Sequence, residues 1–391
     1  MILRRWKGFC LAAEEEALFP RGAEMCGEVF APLVFLVRRD PLRARGLYPI
    51  RDLSELDEPE GIGCLTPSSP AEGELAAFVR AHGAGVLNAA FSRAFSILQA
   101  WSAAKKDGLV LTLVGLGDVG GTALLALKLL GRELAKVQIF DQNRAQCQRY
   151  EMELNQVLSA DGRTLPEVVI CEEQDLFRCD LFAFTASRGV PGLDSKVQDV
   201  RMARQADFTG LFCQISDPVD HLSRSVFLQS NQKETGEFDF AGLLPEQVQG
   251  FGLGVMAARC AYYARRLGLD EDALRVYGPH GQGLVCANCC GGNYDAAISA
   301  ELTEKTRTAN LRVRELGFKP YLAPALSSAA ASLLRLVRGQ EHYGAVPLGG
   351  AYFGCVSRMT RFGPELRREA FAPALRAELE KTYAALEAFE Y

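Results

Sequence analysis

The stretch that decides the fold is Leu109–Val114 (LVLTLV), which is followed at once by Gly115–Gly120 (GLGDVG). A nearly continuous apolar run of this length is typical of a parallel strand that is buried on both faces of its sheet. After the glycine loop, the apolar segment Thr122–Leu134 predicts a helix and Lys136–Phe140 predicts a second strand. This order is one β-α-β unit, and alternating β and α segments continue to about residue 216.

Each glycine of the loop has a physical task in holding a dinucleotide. Gly115 allows a tight turn off the strand, Gly117 lets the backbone approach a pyrophosphate, and Gly120 lets the helix pack closely on the strand. The helix that opens there would direct unpaired N–H groups and the positive end of its dipole at the phosphates. We therefore also assign Asp118 and Val119 to the predicted cofactor site. A glycine-rich turn without a ligand is the alternative.

Asp141 stands at the end of the second predicted strand. A carboxylate at this place accepts hydrogen bonds from the adenosine ribose. Its charge would repel a 2′-phosphate, which favours NAD over NADP, although Arg144 lies close by in the sequence. The loop, its flanking elements and this acid together predict an α/β fold with a Rossmann-type doubly wound parallel sheet that binds NAD.

The composition is that of a packed globular protein and argues against several kinds of partner. The sequence has 391 residues, 48% of them hydrophobic and 23% charged, with a net charge of −5. The negative net charge argues against a nucleic-acid partner. The sequence contains no run of about 18 apolar residues, so we expect no membrane span. The start of the sequence is basic, but Glu14–Glu16 interrupt the apolar stretch that should follow in a signal peptide, so we predict a cytoplasmic protein.

Cys286, Cys289 and Cys290 form a cluster among the twelve cysteines of the chain. A C-x-x-C pair can bind zinc or carry out redox chemistry. Neither a second pair nor a histidine at ligand spacing accompanies it, so we favour ordinary packing of thiols and predict no metal site.

Further along, the chain resembles the lactate/malate dehydrogenase family over roughly residues 108–388. The segments that carry the resemblance, in the family's order, are Phe182–Ser187, Ile215–Asp220, Val248–Gly252 with the helix start up to Arg259, Gly278–Gly281 and Tyr352–Val356. The resemblance implies an α+β C-terminal domain after the Rossmann domain, a small carboxylate substrate, hydride transfer with NAD, and a homodimer or homotetramer.

The resemblance also implies roles for particular residues. His280 takes the position of the acid–base histidine, and Arg259 that of the arginine that binds the substrate carboxylate. Thr185 and Ala186 take positions beside the cofactor. Lys196 aligns with the loop arginine that polarises the substrate carbonyl. A lysine keeps the positive charge but lacks the planar set of hydrogen-bond donors of a guanidinium.

Two other positions depart from the family pattern. Met256 replaces the aspartate that orients the histidine, so His280 lacks that partner and the charge that would stabilise its protonated form. Asp217 replaces an asparagine, and this acid could partner His280 from another side or meet an amino group of the substrate. The stretch Asn231–Glu246 is extra.

We predict three regions. Residues 1–105 are an N-terminal extension of unknown role, small α/β or helical; residues 106–220 are the NAD-binding domain; and residues 221–391 are the catalytic domain. Within the extension, helical spacing over residues 71–105 predicts two helices separated at Gly83 and Gly85.

The leading hypothesis is an NAD-dependent dehydrogenase for a small 2-hydroxy or 2-oxo acid. The alternative is an NAD(H)-binding relative without turnover, because Met256 stands where the orienting acid should be. A third, an NAD-dependent glycosidase, needs a metal held by a cysteine and a histidine, and the spacing of Cys286 or Cys289 from His280 does not match.

Overall fold

Strand pairing separates an N-terminal sheet from a larger central sheet. The computed structural model describes residues 1–103, 108–186 and 197–389. The N-terminal sheet has the order β3-β1-β2-β4-β6-β5, in which β2, β4 and β6 are parallel and the other pairs antiparallel. Its strands are β1 (Ile2–Trp6), β2 (Phe9–Ala13), β3 (Glu24–Met25), β4 (Leu33–Val37), β5 (Leu47–Ile50) and β6 (Ala84–Asn88). Two helices, α1 (Glu74–His82) and α2 (Ala94–Ser102), accompany it.

The central sheet has the order β17-β16-β15-β12-β11-β10-β7-β8-β9. Its strands are β7 (Leu109–Val114), β8 (Leu134–Phe140), β9 (Glu167–Ile170), β10 (Leu181–Phe184), β11 (Leu211–Gln214), β12 (Val248–Gly250), β15 (His342–Pro347), β16 (Tyr352–Thr360) and β17 (Gly363–Leu366). A separate hairpin is formed by β13 (Arg275–Tyr277) and β14 (Val285–Ala287). The strands from β7 to β12 are parallel, and their order reverses between β7 and β10. In doubly wound sheets, ligands bind at this reversal, beyond the carboxyl ends of the strands.

Helices cover both faces of the central sheet. The helices after β7 are α3 (Asp118–Leu130), α4 (Arg144–Leu154), α5 (Val197–Gln205), α6 (Val219–Ser230), α7 (Leu253–Arg266), α8 (Ala296–Glu315), a π-helical segment Pro324–Ala331, α9 (Ser332–Val337) and α10 (Pro373–Glu387). Of these, α8 packs on α7 and on the β13–β14 hairpin. Successive side chains of β10 point to opposite faces of the sheet. Leu181 and Ala183 pack in the buried cluster that includes residues of α3 and α9. Phe182 and Phe184 pack in the cluster that includes residues of α2, α5 and α6. The predicted α/β class is confirmed.

The N-terminal sheet is joined to the central sheet by α2 and by the extra stretch Asn231–Glu246. Trp101 of α2 donates its indole N–H to the carbonyl of Thr209, 3.0 Å away, just before β11. In the extra stretch, the carbonyl of Phe240 accepts a hydrogen bond from the backbone N–H of Ser92. The extra stretch therefore contacts the extra N-terminal region.

Two local predictions differ from the structure. The helix after the glycine loop begins at Asp118 and ends at Leu130, whereas we expected Thr122–Leu134. Because glycine is a poor helix former, Gly120 and Gly121 made the sequence pattern a weak indication of the first turn of this helix. The second difference is β6, a fully buried strand between the two predicted helices, which pairs with β4 and β5. Whether such a short segment forms a strand depends on its pairing with strands that are distant in the sequence.

The predicted boundaries at residues 106 and 221 stay predictions. Within the described ranges, every helix is too short or too polar to cross a membrane.

Candidate active site

The glycine loop lies at the strand-order reversal, between the ends of β7 and β10. Gly115 has a φ of +93°, and a Cβ there would lie 2.7 Å from the backbone nitrogen of Ala186. A Cβ on Gly120 would lie 1.9 Å from the carbonyl oxygen of Gly115 and 2.5 Å from Oγ1 of Thr185. Both positions therefore require glycine for the loop to close onto α3 and β10.

Gly117 differs from these two glycines because it faces open space. A Cβ built on this residue meets no atom of the described chain within 4 Å, and its φ of −68° suits any residue. The backbone is thus accessible at the N-terminus of α3, where N–H groups without helical partners attract anions. This open approach fits the pyrophosphate of a dinucleotide.

Asp141 holds the loop in place through backbone hydrogen bonds. Its Oδ2 accepts from the N–H of Leu116 at 2.7 Å, and its Oδ1 accepts from the N–H of Asn143 at 2.8 Å. Each carboxylate oxygen has further lone-pair capacity, so ribose binding by Asp141 stays a prediction.

Thr185 and Ala186 connect the loop to the neighbouring strand ends. Oγ1 of Thr185 donates to the carbonyl of Gly115 at 2.7 Å, and the carbonyl of Ala186 accepts from Oγ of Ser216 at 2.9 Å. The ends of β7, β10 and β11 therefore form one hydrogen-bonded edge. Side chains of Val119 and Thr185 border a cavity of about 170 Å³ at this edge.

His280 borders the same cavity and is paired with Asp217. The imidazole Nδ1 lies 2.7 Å from Oδ1 of Asp217, and 17% of the His280 side chain is exposed compared with 46% for Asp217. When Nδ1 carries the proton of the neutral ring, it donates a hydrogen bond to the carboxylate of Asp217. Nε2 is then an acceptor; it is buried and has no hydrogen-bond partner among the described residues.

Asp220 is a second carboxyl beside His280, which sequence reasoning did not single out. Its Oδ2 accepts from the backbone N–H of His280 at 3.3 Å, and its Oδ1 is without a partner in the described part of the chain. Burial raises the pKa of Asp220 to about 7. The loop after β11 thus holds the ring of His280, and the first turn of α6 holds its backbone.

Arg259 lies on α7 in a neighbouring groove of about 790 Å³ and does not line the His280 cavity. Val255 borders both spaces, so the two predicted catalytic groups lie in adjacent cavities. Nη1 of Arg259 is 3.7 Å from Sδ of Met256. Burial lowers the pKa of Arg259, although Tyr263 and Asp217 counteract this effect. Lys196 lies outside the described residues.

The cysteine cluster does not converge on one point. Cys286 is hydrogen-bonded to Cys260, whereas Sγ of Cys290 lies 3.1 Å from Oε2 of Glu369 and 3.3 Å from the hydroxyl of Tyr277. Within residues 1–103, 108–186 and 197–389, no three His, Cys, Asp or Glu side chains form a possible metal site. These contacts are those of packed thiols.

Comparison with known proteins establishes the fold of the chain. No protein-family model and no curated protein matches it. Among solved structures, it is similar to MGS-M5, a lactate dehydrogenase from a Medee basin deep-sea metagenome library, at 15% identity over 72% of this chain and 97% of that one, with a TM-score of 0.57.

Two further structures have the same likeness. The minor L-lactate dehydrogenase from Enterococcus mundtii is 17% identical over 72% of this chain and 98% of that one, with a TM-score of 0.60. The malate dehydrogenase from Aeropyrum pernix is 16% identical over 71% and 96%, with a TM-score of 0.58. The chain therefore has a lactate/malate dehydrogenase-like fold, which confirms the predicted resemblance at the level of the fold.

Proposed function

We propose that this chain is an NAD-dependent oxidoreductase acting on a small 2-hydroxy or 2-oxo acid. The observation that carries the proposal is the Asp217–His280 pair, which borders one cavity together with Val119 and Thr185 beside the glycine loop. A histidine held by a carboxylate, with its second nitrogen unpartnered in the described chain, is the arrangement that acid–base catalysis needs.

The glycine loop is the proposed cofactor site. The backbone at Gly117 would receive the pyrophosphate and Asp141 the ribose, while Gly115 and Gly120 allow the loop its shape. NAD bound there would supply the acceptor for the hydride that leaves the carbon bearing the hydroxyl.

His280 moves the matching proton. In the oxidising direction, Nε2 takes the hydroxyl proton as the carbon–oxygen double bond forms, and the carboxylate of Asp217 stabilises the resulting imidazolium. In the reducing direction, the same nitrogen returns that proton to the oxygen. Asp217 thus acts in place of the acid that Met256 replaces.

Arg259 is the proposed carboxylate-binding group, because a guanidinium can donate two parallel hydrogen bonds to a carboxylate. None of the ion pairs found among the described residues involves it, and it adjoins the His280 cavity at Val255. We propose Lys196 as the cation that polarises the substrate carbonyl.

The test is an assay of NADH oxidation with a panel of 2-oxo acids, including pyruvate, oxaloacetate and phenylpyruvate. We expect turnover with at least one of them and a fall in kcat of about 1,000-fold in His280→Ala, within the range for loss of a general acid–base group. His82→Ala is the matched control, since His82 is an exposed histidine of α1. Turnover that survives His280→Ala would refute the proposal.

The alternative is an NAD(H)-binding protein without turnover. It is favoured by the position of Arg259, which does not line the His280 cavity, and by the apolar Met256 beside it. Saturable NADH binding with no turnover of any 2-oxo acid in the panel would support this alternative against the enzyme.

A further inference from the structure

Asp118 is an acid at the place where the proposed cofactor would bring its phosphates. It is the first residue of α3, directly after the open Gly117, and 48% of its side chain is exposed. The partial positive charge at a helix N-terminus favours anionic groups, and the carboxylate of Asp118 already lies in this first turn. A pyrophosphate placed beside this carboxylate would be repelled by it, so the site as assigned from the glycine loop lacks a compensating cation.

Lys319 provides that cation from a distant part of the sequence. Its Nζ lies 2.9 Å from Oδ2 of Asp118. The hydrogen bond to Asp118 raises the pKa of Lys319, which keeps the ammonium charged. The pair brings a positive charge to the first turn of α3.

The segment that carries Lys319 leads directly into a π-helical segment that borders the proposed reaction cavity. It lies between the end of α8 at Glu315 and the π-helical segment that begins at Pro324. Pro324 and Ser328 of that segment line the His280 cavity, and Lys319 itself borders the groove of Arg259. Oγ of Ser328 accepts from the N–H of Val255, which fixes the segment to α7.

We propose that Lys319 is a phosphate-binding residue of the cofactor site. Its ammonium neutralises Asp118 in the free protein and contacts the pyrophosphate when a dinucleotide is bound. An ammonium on a flexible stem can turn from one oxygen to another without movement of the backbone. This inference rests on the proposed dinucleotide binding and adds to it a cation that the glycine loop does not contain.

The test measures binding of ADP-ribose, which contains the pyrophosphate, and of adenosine, which does not. Titration calorimetry on the full chain compares the wild type with Lys319→Gln, Lys319→Arg and Asp118→Asn. The matched control is Lys305→Gln, because Lys305 forms a similar surface pair with Glu301 at 3.4 Å on α8.

We expect Lys319→Gln to weaken ADP-ribose binding about 10-fold, the scale of one charge-assisted hydrogen bond, and to leave adenosine binding unchanged. Lys319→Arg should retain most of the affinity. Asp118→Asn should tighten ADP-ribose binding, because it removes the repulsion, and the loss in Lys319→Gln should diminish at high salt.

Three results would overturn the inference. Equal ADP-ribose affinity in the wild type and Lys319→Gln would show that the ammonium does not contact the phosphates. Equal losses for ADP-ribose and adenosine would show that Lys319 only supports the loop. If the wild type binds neither ligand, the proposed cofactor site fails together with this inference, whereas the first two results leave that site intact.

Discussion

The charge beside His280 comes from the loop between β11 and α6 and not from α7. Asp217 of this loop contacts the ring and Asp220 in the first turn of α6 contacts the backbone N–H, so the start of α6 and the loop before it fix the histidine at two points. Met256 belongs instead to an apolar cluster that includes Leu253 and Cys260. A carboxylate at position 256 would therefore be buried among apolar side chains with Arg259 as its charged neighbour, and burial of a charge is costly unless such a partner neutralises it.

The first prediction concerns Asp217. Asp217→Asn should lower kcat about 100-fold, because the neutral amide no longer stabilises the imidazolium and can hold the opposite tautomer. The affinity for NADH, measured by fluorescence titration, should stay unchanged. Asp270→Asn, which changes an exposed aspartate after α7, is the control. Full activity in Asp217→Asn would show that the pair at 2.7 Å has no catalytic role.

At the scale of elements, the strand–loop–helix geometry at the glycine loop was predictable because it depends on local sequence, whereas its binding of a cofactor stays a prediction. The strand, the glycines and Asp141 occur within about 30 residues, and each glycine has a steric reason that the structure bears out at Gly115 and Gly120. The strand β6 and the Lys319–Asp118 pair were not predictable in this way. Both depend on neighbours distant in the sequence, which a periodic pattern of apolar residues does not encode.

Gly117 and Gly120 make a matched pair for testing the loop. Gly120→Ala should lower the free energy of unfolding by about 3 kcal/mol, because the added methyl overlaps the carbonyl of Gly115 at 1.9 Å. Gly117→Ala should leave the thermal unfolding midpoint unchanged, since nothing in the described chain lies within 4 Å of its new Cβ.

The same Gly117→Ala variant should weaken ADP-ribose binding by 10-fold or more, since the methyl occupies the space proposed for the pyrophosphate, and about 1.4 kcal/mol suffices for that factor. Calorimetric titration measures this loss. Unchanged affinity would place the phosphates elsewhere and would count against the glycine loop as the cofactor site.

At the scale of the whole molecule, the N-terminal region completes the covering of the central sheet. Ala94, Ile97 and Leu98 of α2 belong to one buried cluster with Phe182 and Phe212 of the sheet. The extra stretch ends in Glu246, which is fully buried and accepts hydrogen bonds from the N–H groups of Gly46 at 2.8 Å and Leu47 at 3.0 Å. Because β12 begins two residues later, this carboxyl links the N-terminal sheet to the strand that leads into the His280 cavity.

The contact between Glu246 and the N-terminal sheet should make stability depend on pH. Burial raises the pKa of Glu246 to about 7 from its ordinary 4.5, against the opposing effects of its backbone hydrogen bonds and Arg45. Between these values the folded chain keeps a proton that the unfolded chain has lost, so the free energy of unfolding falls as the pH rises. Protonated Glu246 contributes on the order of 3 kcal/mol to the free energy of unfolding at low pH, and this contribution is lost as the pH rises past about 7.

Urea unfolding between pH 5 and pH 8 measures this slope in the wild type, Glu246→Gln and Glu237→Gln. Glu237 is an exposed glutamate of the same extra stretch, so its variant should follow the wild-type slope. Glu246→Gln should be less stable than the wild type at pH 5, because an amide oxygen accepts only one of the two backbone bonds, and its shallower slope should shrink that difference towards pH 8. The remaining slope combines Asp220 and Glu55, whose pKa values are raised in the same direction, with His342, whose pKa burial lowers to about 4 and which acts in the opposite direction. A slope identical to the wild type would mean that Glu246 is ionised in the folded chain and that this contact does not couple stability to pH.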